Sequence, residues 1–375
     1  MSKIKITTIV GTRPELIRLS KIIEMFEANF EHRLVHTGQN SNELLRDVFF
    51  EELNLRQADQ NLEFDFTSLA RSLGDLFVGI ESELTQHRPD GVVILGDTNS
   101  GLTSIIARRM GIPVYHLEAG NRSFDSNVPE EINRKIIDHT SDFNLVYSEH
   151  ARRNLLAEGI NPRQICLIGS PMREVIDANA SRINESSILT RLGLNEREFL
   201  LFSAHRQENI NEKVRLDALL TSINEVAQTF QLRIIVTSHP RMATKIKNAS
   251  TFIDPLIEFH EPFGFLDYCK LQKSALLTIS DSGSISEESA ILGFKALTYR
   301  DSMERPEALE ANGVLMAGIN FGNLMEAINW TLSDLSLREI PEEYKIANTS
   351  SRVVNYILST VRNFHEWTGV RNFQM

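Results

Sequence analysis

Three acidic positions in the first half of the chain are set apart by their surroundings. Asp97 follows the apolar run Val92–Leu95 and Gly96. Glu118 stands at the end of a strand pattern in His116-Leu117-Glu118-Ala119-Gly120. Glu130 follows Pro129 and precedes Glu131, where a helical pattern begins. One carboxylate that takes a proton and another that gives one are the equipment of proton transfer. Each position also has an ordinary explanation. Asp97 can cap the next helix. Glu118 can pair with an arginine, and burial without one would raise its pKa. Glu130 and Glu131 suit the first turn of any helix.

Anion-binding features flank these acids. Gly11-Thr12-Arg13-Pro14-Glu15 joins a strand pattern to a helix pattern. A glycine there admits close backbone approach, and a helix start favours an anion. Arg13 and Arg18 add positive charge, so the loop suits a phosphate or diphosphate. It has neither the Gly-Lys-Ser/Thr of a P-loop nor a GxGxxG fingerprint, which argues against nucleoside triphosphate and NAD. In the second half, Ser203-Ala204-His205-Arg206 ends another strand, and His205 can act as an acid or a phosphate ligand. Ser280-Asp281-Ser282-Gly283-Ser284 leads into a helix that carries Glu288. Hydroxyls and backbone N–H groups from Ser282, Gly283 and Ser284 can hold a diphosphate, and Glu288 can accept two ribose hydroxyls. Arg305 follows the next strand and can reach the same crevice. No Asp/His/Cys cluster has metal-ligand spacing. No metal and no cofactor is expected.

The elements that position these residues follow a βαβ rhythm. Strands are predicted at Ile4–Val10, His32–Gly38, Gly91–Gly96, Ile112–Glu118, Phe143–Ser148 and Ile165–Gly169. Helices fall at Glu15–Glu27, Thr67–Arg88, Thr103–Met110 and Ser148–Glu158. The rhythm restarts after Pro171, with strands at Glu198–Ser203, Leu232–Thr237, Leu256–His260, Ala275–Ser280 and Lys295–Arg300, and a last helix near Ser350–Phe364. Parallel sheets covered on both faces follow from this rhythm. The fold class is α/β, with two Rossmann-like domains facing a central cleft. The expected ranges are 1–170 for the first domain, which carries the carboxylates, and 171–359 for the second.

Net charge is −11. That argues against a nucleic-acid partner, which needs a concentrated basic face. Cys166 and Cys269 are too few for a disulfide framework or a metal cage. No window approaches 18 apolar residues, so no membrane span is expected. The N-terminus lacks a signal-type apolar core, and the expected compartment is cytoplasmic.

The chain resembles the non-hydrolysing UDP-N-acetylglucosamine 2-epimerases. The resemblance rests on Gly11–Glu15, Gly96-Asp97-Thr98, Glu118-Ala119-Gly120, Pro129–Arg134, His205-Arg206, Asp281-Ser282-Gly283 and Glu304-Arg305-Pro306-Glu307, in that order. It implies a fold of the glycosyltransferase-B type, with the C-terminal helix (about 360–375) returning to the first domain, and a homodimer. It further implies that Arg13, Asp97, Glu118, Glu130 and His205 line the sugar–diphosphate site. Ser282, Gly283 and Ser284 would hold phosphate, Glu288 ribose and Arg305 the nucleotide end. Tyr268 falls where the family has a Phe near the uracil. Arg18 stands where the family has Lys, Ser284 replaces a Gly, and Phe263 replaces a Gln. Gln39-Asn40-Ser41 lacks the His of the family's regulatory motif, so that second-substrate site is not carried over.

Several segments are similar to one subgroup, the UDP-N-acetyl-L-fucosamine synthases. They are Val35–Asn40, Glu118–Arg122, Asn133–Asp142 and Gly264–Tyr268. The resemblance implies conversion of UDP-2-acetamido-2,6-dideoxy-L-talose to UDP-N-acetyl-L-fucosamine for capsule or O-antigen synthesis. UDP-GlcNAc/UDP-ManNAc epimerisation is the alternative within the family. A glycosyltransferase would share the fold and UDP site but need an acceptor. A nonenzymatic UDP-sugar sensor would need no proton-transfer carboxylates.

Overall fold

The structure, a computed structural model, describes residues 3–38, 50–62, 68–204, 213–238, 252–334, 336 and 339–369. His205 and the Gln39-Asn40-Ser41 segment lie outside the described residues. The chain forms two compact units, Met1–Val175 with Ile346–Met375, and Ile176–Lys345.

The first unit is built on a parallel sheet of β1 (Lys5–Val10), β2 (Glu31–His36), β3 (Gln60–Asn61), β4 (Gly91–Leu95), β5 (Val114–Leu117), β6 (Phe143–Val146) and β7 (Ile165–Leu167). The spatial order is β3-β2-β1-β4-β5-β6-β7. Both faces of the sheet are buried, so central strand β4 reads as an unbroken apolar run rather than an alternating one. Ile6, Val10, Val93 and Leu95 join one core cluster, while Ile9, Val92 and Ile94 join another. This is the two-residue alternation of a strand with apolar partners on both sides. Helix Arg13–Asn29 covers the first face through Leu16, Leu19, Ile22, Ile23 and Phe26. Helix Leu69–His87 covers the other through Leu76, Ile80 and Leu84.

Helix Thr349–Thr360 belongs to this unit. Its Val353, Val354 and Ile357 pack into the cluster of Leu16 and Leu19. Thr360 Oγ1 lies 2.8 Å from the hydroxyl of buried Tyr115. The chain therefore rejoins the first unit at Ile346, ahead of the residue 360 expected from the sequence.

The second unit has its own parallel sheet of β8 (Phe199–Ala204), β9 (Arg233–Ser238), β10 (Ile257–His260), β11 (Leu277–Ser280), β12 (Ala296–Thr298) and β13 (Leu315–Met316). Its order is β10-β9-β8-β11-β12-β13. Leu200 and Phe202 enter one cluster and Phe199 and Leu201 the other, again by alternation. Strand β13 and helix Phe321–Ser333 complete this unit and were not expected from the sequence. That helix buries Leu324, Ala327 and Ile328 against β12 and β13. No helix among the described residues is long and apolar enough to cross a membrane.

Each sheet reverses its strand order once, between β1 and β4 and between β8 and β11. At such a switch point the adjoining loops diverge and leave a crevice at the carboxyl ends of the strands. The loops that leave β1, β4 and β11 are Gly11–Arg13, Gly96–Thr98 and Asp281–Ser284. Arg13, Asp97 and Ser282–Ser284 therefore stand at the switch points of their sheets, and Glu118 follows β5, one strand further along.

Candidate active site

In the first unit, Asp97 and Glu118 leave neighbouring strands. Leu95 pairs with Leu117 in register, and the Gly96 amide donates to the Leu117 carbonyl at 2.9 Å. Glu118 is not the last residue of the strand, as its apolar approach suggested. It lies one residue beyond, in the left-handed region at φ +67°. That conformation is strained for a non-glycine residue and turns the chain sharply at the sheet rim. Its amide donates to the Leu145 carbonyl at 3.1 Å. Arg18 is buried and places its Nε 3.4 Å from Glu118 Oε2. The same guanidinium lies 5.9 Å from the centre of the Tyr147 ring.

Asp97 is ion-paired with Arg134 through Nη2. Arg134 Nη1 lies 3.3 Å from the Glu131 carboxylate. Of the adjacent glutamates, Glu131 is the buried one, and it also accepts from the Ser123 amide at 2.9 Å and hydroxyl at 3.1 Å. Glu130 is exposed on the first turn of helix Pro129–Thr140. The structure thus links Asp97 to Glu131 through Arg134, while Glu130 is solvent-exposed.

The Asp97 loop is clasped on three sides. Asn133 Nδ2 donates to the Asp97 carbonyl at 2.9 Å. His116 Nε2 is 2.8 Å from the Gly96 carbonyl. The Thr98 hydroxyl donates to Glu15 Oε1 at 2.6 Å. Glu15 is fully enclosed, and its Oε2 accepts from the Gly11 and Thr12 amides at 2.5 and 2.7 Å. Burial outweighs these donors and pushes the Glu15 carboxyl up to about 7. This modifies the sequence expectation for the first loop. The amides of Gly11 and Thr12 serve Glu15, so an anion there relies on the partly exposed Arg13 side chain.

Beneath these loops lies a buried charge cluster that the sequence reading missed. Asp138 accepts from the Gly120 amide through both oxygens at 3.2 Å. It lies 2.9 Å from His116 Nδ1 and 2.7 Å from Arg122 Nη1. Arg122 reaches on to Glu158 with two bonds of 2.7 Å. The guanidinium holds the Glu158 carboxyl below its ordinary value. His116 and Asp138 thus tie the backbone before Asp97 to the backbone after Glu118. Gly120 is needed there on two counts. Its φ is +79°, and an added Cβ would lie 2.4 Å from the Ala151 carbonyl oxygen.

In the second unit, Ser284 stands at the N-cap position of helix Ile285–Leu292, and its side chain makes no capping bond to that helix. Ser282 Oγ is 2.9 Å from Ser284 Oγ, and the Ser282 amide donates to Ser280 Oγ at 3.0 Å. A Cβ on Gly283 would meet only ordinary contacts, Glu304 Oε2 at 3.8 Å and Arg300 Nη1 at 4.0 Å. The packing of this unit therefore does not itself require a glycine at 283. Glu288 is buried and accepts from Gln272 Nε2 at 2.5 Å. Tyr268 is partly buried on helix Phe265–Ser274, one turn before Gln272. Arg305 is almost fully buried, with Nη2 3.3 Å from the Glu287 carboxylate. Its guanidinium is held inside the unit by that acid. Burial also pushes the Glu307 carboxyl upward, where it accepts from the Tyr344 hydroxyl at 2.8 Å.

The chain as a whole is similar to known proteins. Residues 24–358 match the UDP-N-acetylglucosamine 2-epimerase family. The chain is 36% identical over 342 residues to the UDP-N-acetylglucosamine 2-epimerase of Methanocaldococcus jannaschii, covering 88% of this chain and 92% of the relative. Its structure is similar to that of UDP-N-acetylglucosamine 2-epimerase from Rickettsia bellii, with a TM-score of 0.92 and 39% identity over 97% of this chain and 98% of the other. The Methanocaldococcus jannaschii enzyme in complex with UDP-GlcNAc and UDP gives a TM-score of 0.89 at 33% identity, over 95% and 100% of the two chains. With Asp97 at one switch point and Glu118 on the next strand, a serine-rich helix start at the other switch point and the family match across most of its length, the chain belongs to the UDP-N-acetylglucosamine 2-epimerase family and is an isomerase that acts as a UDP-sugar 2-epimerase.

Proposed function

We propose that the chain inverts carbon 2 of a UDP-linked 2-acetamido sugar by eliminating UDP and adding it back. A proton at carbon 2 is not next to a carbonyl and is not acidic. Loss of UDP from carbon 1 makes that centre electron-poor and acidifies the neighbouring proton. The C–H bond at carbon 2 breaks and its electron pair forms the double bond to carbon 1. The bond from carbon 1 to the β-phosphate oxygen breaks with its pair, giving UDP and a 2-acetamidoglycal. Reprotonation on the opposite face and return of UDP complete the inversion.

The observation that carries this reading is the pair Asp97 and Glu118, at the ends of neighbouring strands and each beside an arginine. Carboxylates from Asp97, Glu118 and Glu130 serve as the proton carriers. Arg13, Arg18, His205 and the Ser282–Ser284 loop stabilise the departing diphosphate. Glu288 binds ribose, Tyr268 lies near the base, and Arg305 supports the nucleotide end. The complex of the Methanocaldococcus jannaschii relative with UDP-GlcNAc and UDP supports a UDP-sugar ligand for this chain.

For the sugar we propose UDP-2-acetamido-2,6-dideoxy-L-talose, epimerised to UDP-N-acetyl-L-fucosamine for a capsule or O-antigen. This rests on segments Glu118–Arg122 and Asn133–Asp142, which contribute Arg122 and Asp138 to the cluster under the carboxylate loops. A cytoplasmic homodimer goes with this reading. The second reading is UDP-GlcNAc/UDP-ManNAc epimerisation, favoured by the identity to relatives that bear that name. Proton NMR of the purified protein with each UDP-sugar separates the two. Turnover of the L-talose derivative alone supports the first, and turnover of UDP-GlcNAc alone overturns it.

A further inference from the structure

We propose that Gln272 is a positioning residue for nucleotide recognition, fixing the Glu288 carboxylate in the orientation that accepts the ribose hydroxyls of UDP. The proposal rests on the reading of Glu288 as the ribose ligand. Gln272 and Glu288 come from different helices, Phe265–Ser274 and Ile285–Leu292. The Glu288 backbone is set by the first helical turn, where its amide donates to the Ser284 carbonyl at 2.9 Å. Gln272 acts on the end of the side chain, with Nε2 donating to Oε2 at 2.5 Å. An ionised carboxylate only accepts, so the amide must turn its nitrogen toward Glu288. That bond restrains rotation of the carboxylate by holding Oε2, and a carboxylate so restrained is better prepared to accept two vicinal hydroxyls.

The other end of the amide argues that this arrangement is not there for packing. Gln272 is 0% exposed, and its Oε1 has no hydrogen-bond partner among the described residues. A buried acceptor left unpaired costs stability that a methionine or leucine of similar volume would avoid. Local rules broken in this way are characteristic of functional positions. The same helix carries Tyr268 one turn earlier, so side chains read as serving base and ribose share one helical face.

The test measures binding of UDP and of 2′-deoxy-UDP to the full-length protein by calorimetry, together with melting temperature, for wild type, Gln272→Met and Gln272→Leu. Wild type should prefer UDP by roughly tenfold, the worth of a good hydrogen bond to a charged acceptor. In Gln272→Met that preference should narrow to roughly two- to threefold. Affinity for 2′-deoxy-UDP should barely move, and the melting temperature should change little, relief of the unpaired Gln272 Oε1 offsetting loss of the bond to buried Glu288. Gln272→Leu should behave alike and covers the case in which the methionine variant folds poorly. A wild-type preference that survives both substitutions overturns the proposal. So does a parallel fall of both affinities with the melting temperature, which would mark Gln272 as packing alone. A wild type that binds both nucleotides equally overturns the ribose role of Glu288 itself, a failure distinct from the first.

Discussion

Replacing Glu15 by glutamine converts a buried, titrating clasp into a neutral one. Burial raises the Glu15 carboxyl from 4.5 to about 7. A group whose folded-state value is raised contributes stability that is complete below the unfolded-state value and disappears as pH rises through the folded-state value. Between pH 4.5 and 7 the unfolded chain releases this proton while the folded protein keeps it. At about 1.4 kcal/mol per pH unit, the wild type forfeits about 3 kcal/mol over that interval from this one group. For a unit of this size, at roughly 2–4 °C per kcal/mol, the melting point should drop by about 10 °C from Glu15 alone. The glutamine would lack the titration while keeping the contacts. Its amide oxygen can accept from the Gly11 and Thr12 amides, and its NH2 group can donate to Thr98 Oγ1. The assay is a set of thermal melts of wild type and Glu15→Gln from about pH 4 to about pH 8. The curves should coincide near about pH 4.5 and separate by about 10 °C above about pH 7, with the variant more stable. Melting points that stay parallel across the range would refute the claim that burial governs this carboxyl.

Asp97→Asn and Glu118→Gln should each lower the turnover number by at least roughly a hundredfold, the usual scale for a lost acid or base, while UDP affinity measured by calorimetry stays within a few-fold. Comparing Glu130→Gln with Glu131→Gln tells the two glutamates apart: the first should affect turnover alone, and the second, which breaks contacts to Ser123 and Arg134, should also lower the melting temperature. Gly120→Ala should cost at least about 2 kcal/mol, from positive-φ strain plus the Ala151 clash, as read from chemical denaturation.

Much of this arrangement was legible because sheets and switch points announce themselves locally. Val92–Leu95 is a continuous apolar run that ends at Gly96, so the rim position of Asp97 followed from adjacent residues alone. The serine-rich start of the Ile285–Leu292 helix was equally plain. Glu118 was harder. Its sequence continues the strand pattern, and a glutamate at positive φ is too uncommon to expect. The choice between Glu130 and Glu131 turns on how the first helical turn is rotated, which two adjacent acids do not reveal. The cluster of His116, Arg122, Asp138 and Glu158 draws on residues far apart in the chain. Its members sit on a strand, a loop, a helix and the cap just after another helix, and only the sheet order brings them together. Gln272 left no signal at all, because a single glutamine on an amphipathic helix reads as a solvent-facing residue. The Phe321–Ser333 helix is the opposite case, since Leu324, Ala327, Ile328 and Thr331 give it an apolar face with helical spacing that the sequence displays openly.

The central claim is that one proton at carbon 2 leaves and returns while UDP is detached. Turnover in deuterium oxide, followed by proton NMR, tests it directly. The account predicts that the epimerised product carries solvent deuterium at carbon 2. Product formed at the full rate with its original proton retained at carbon 2 would contradict it.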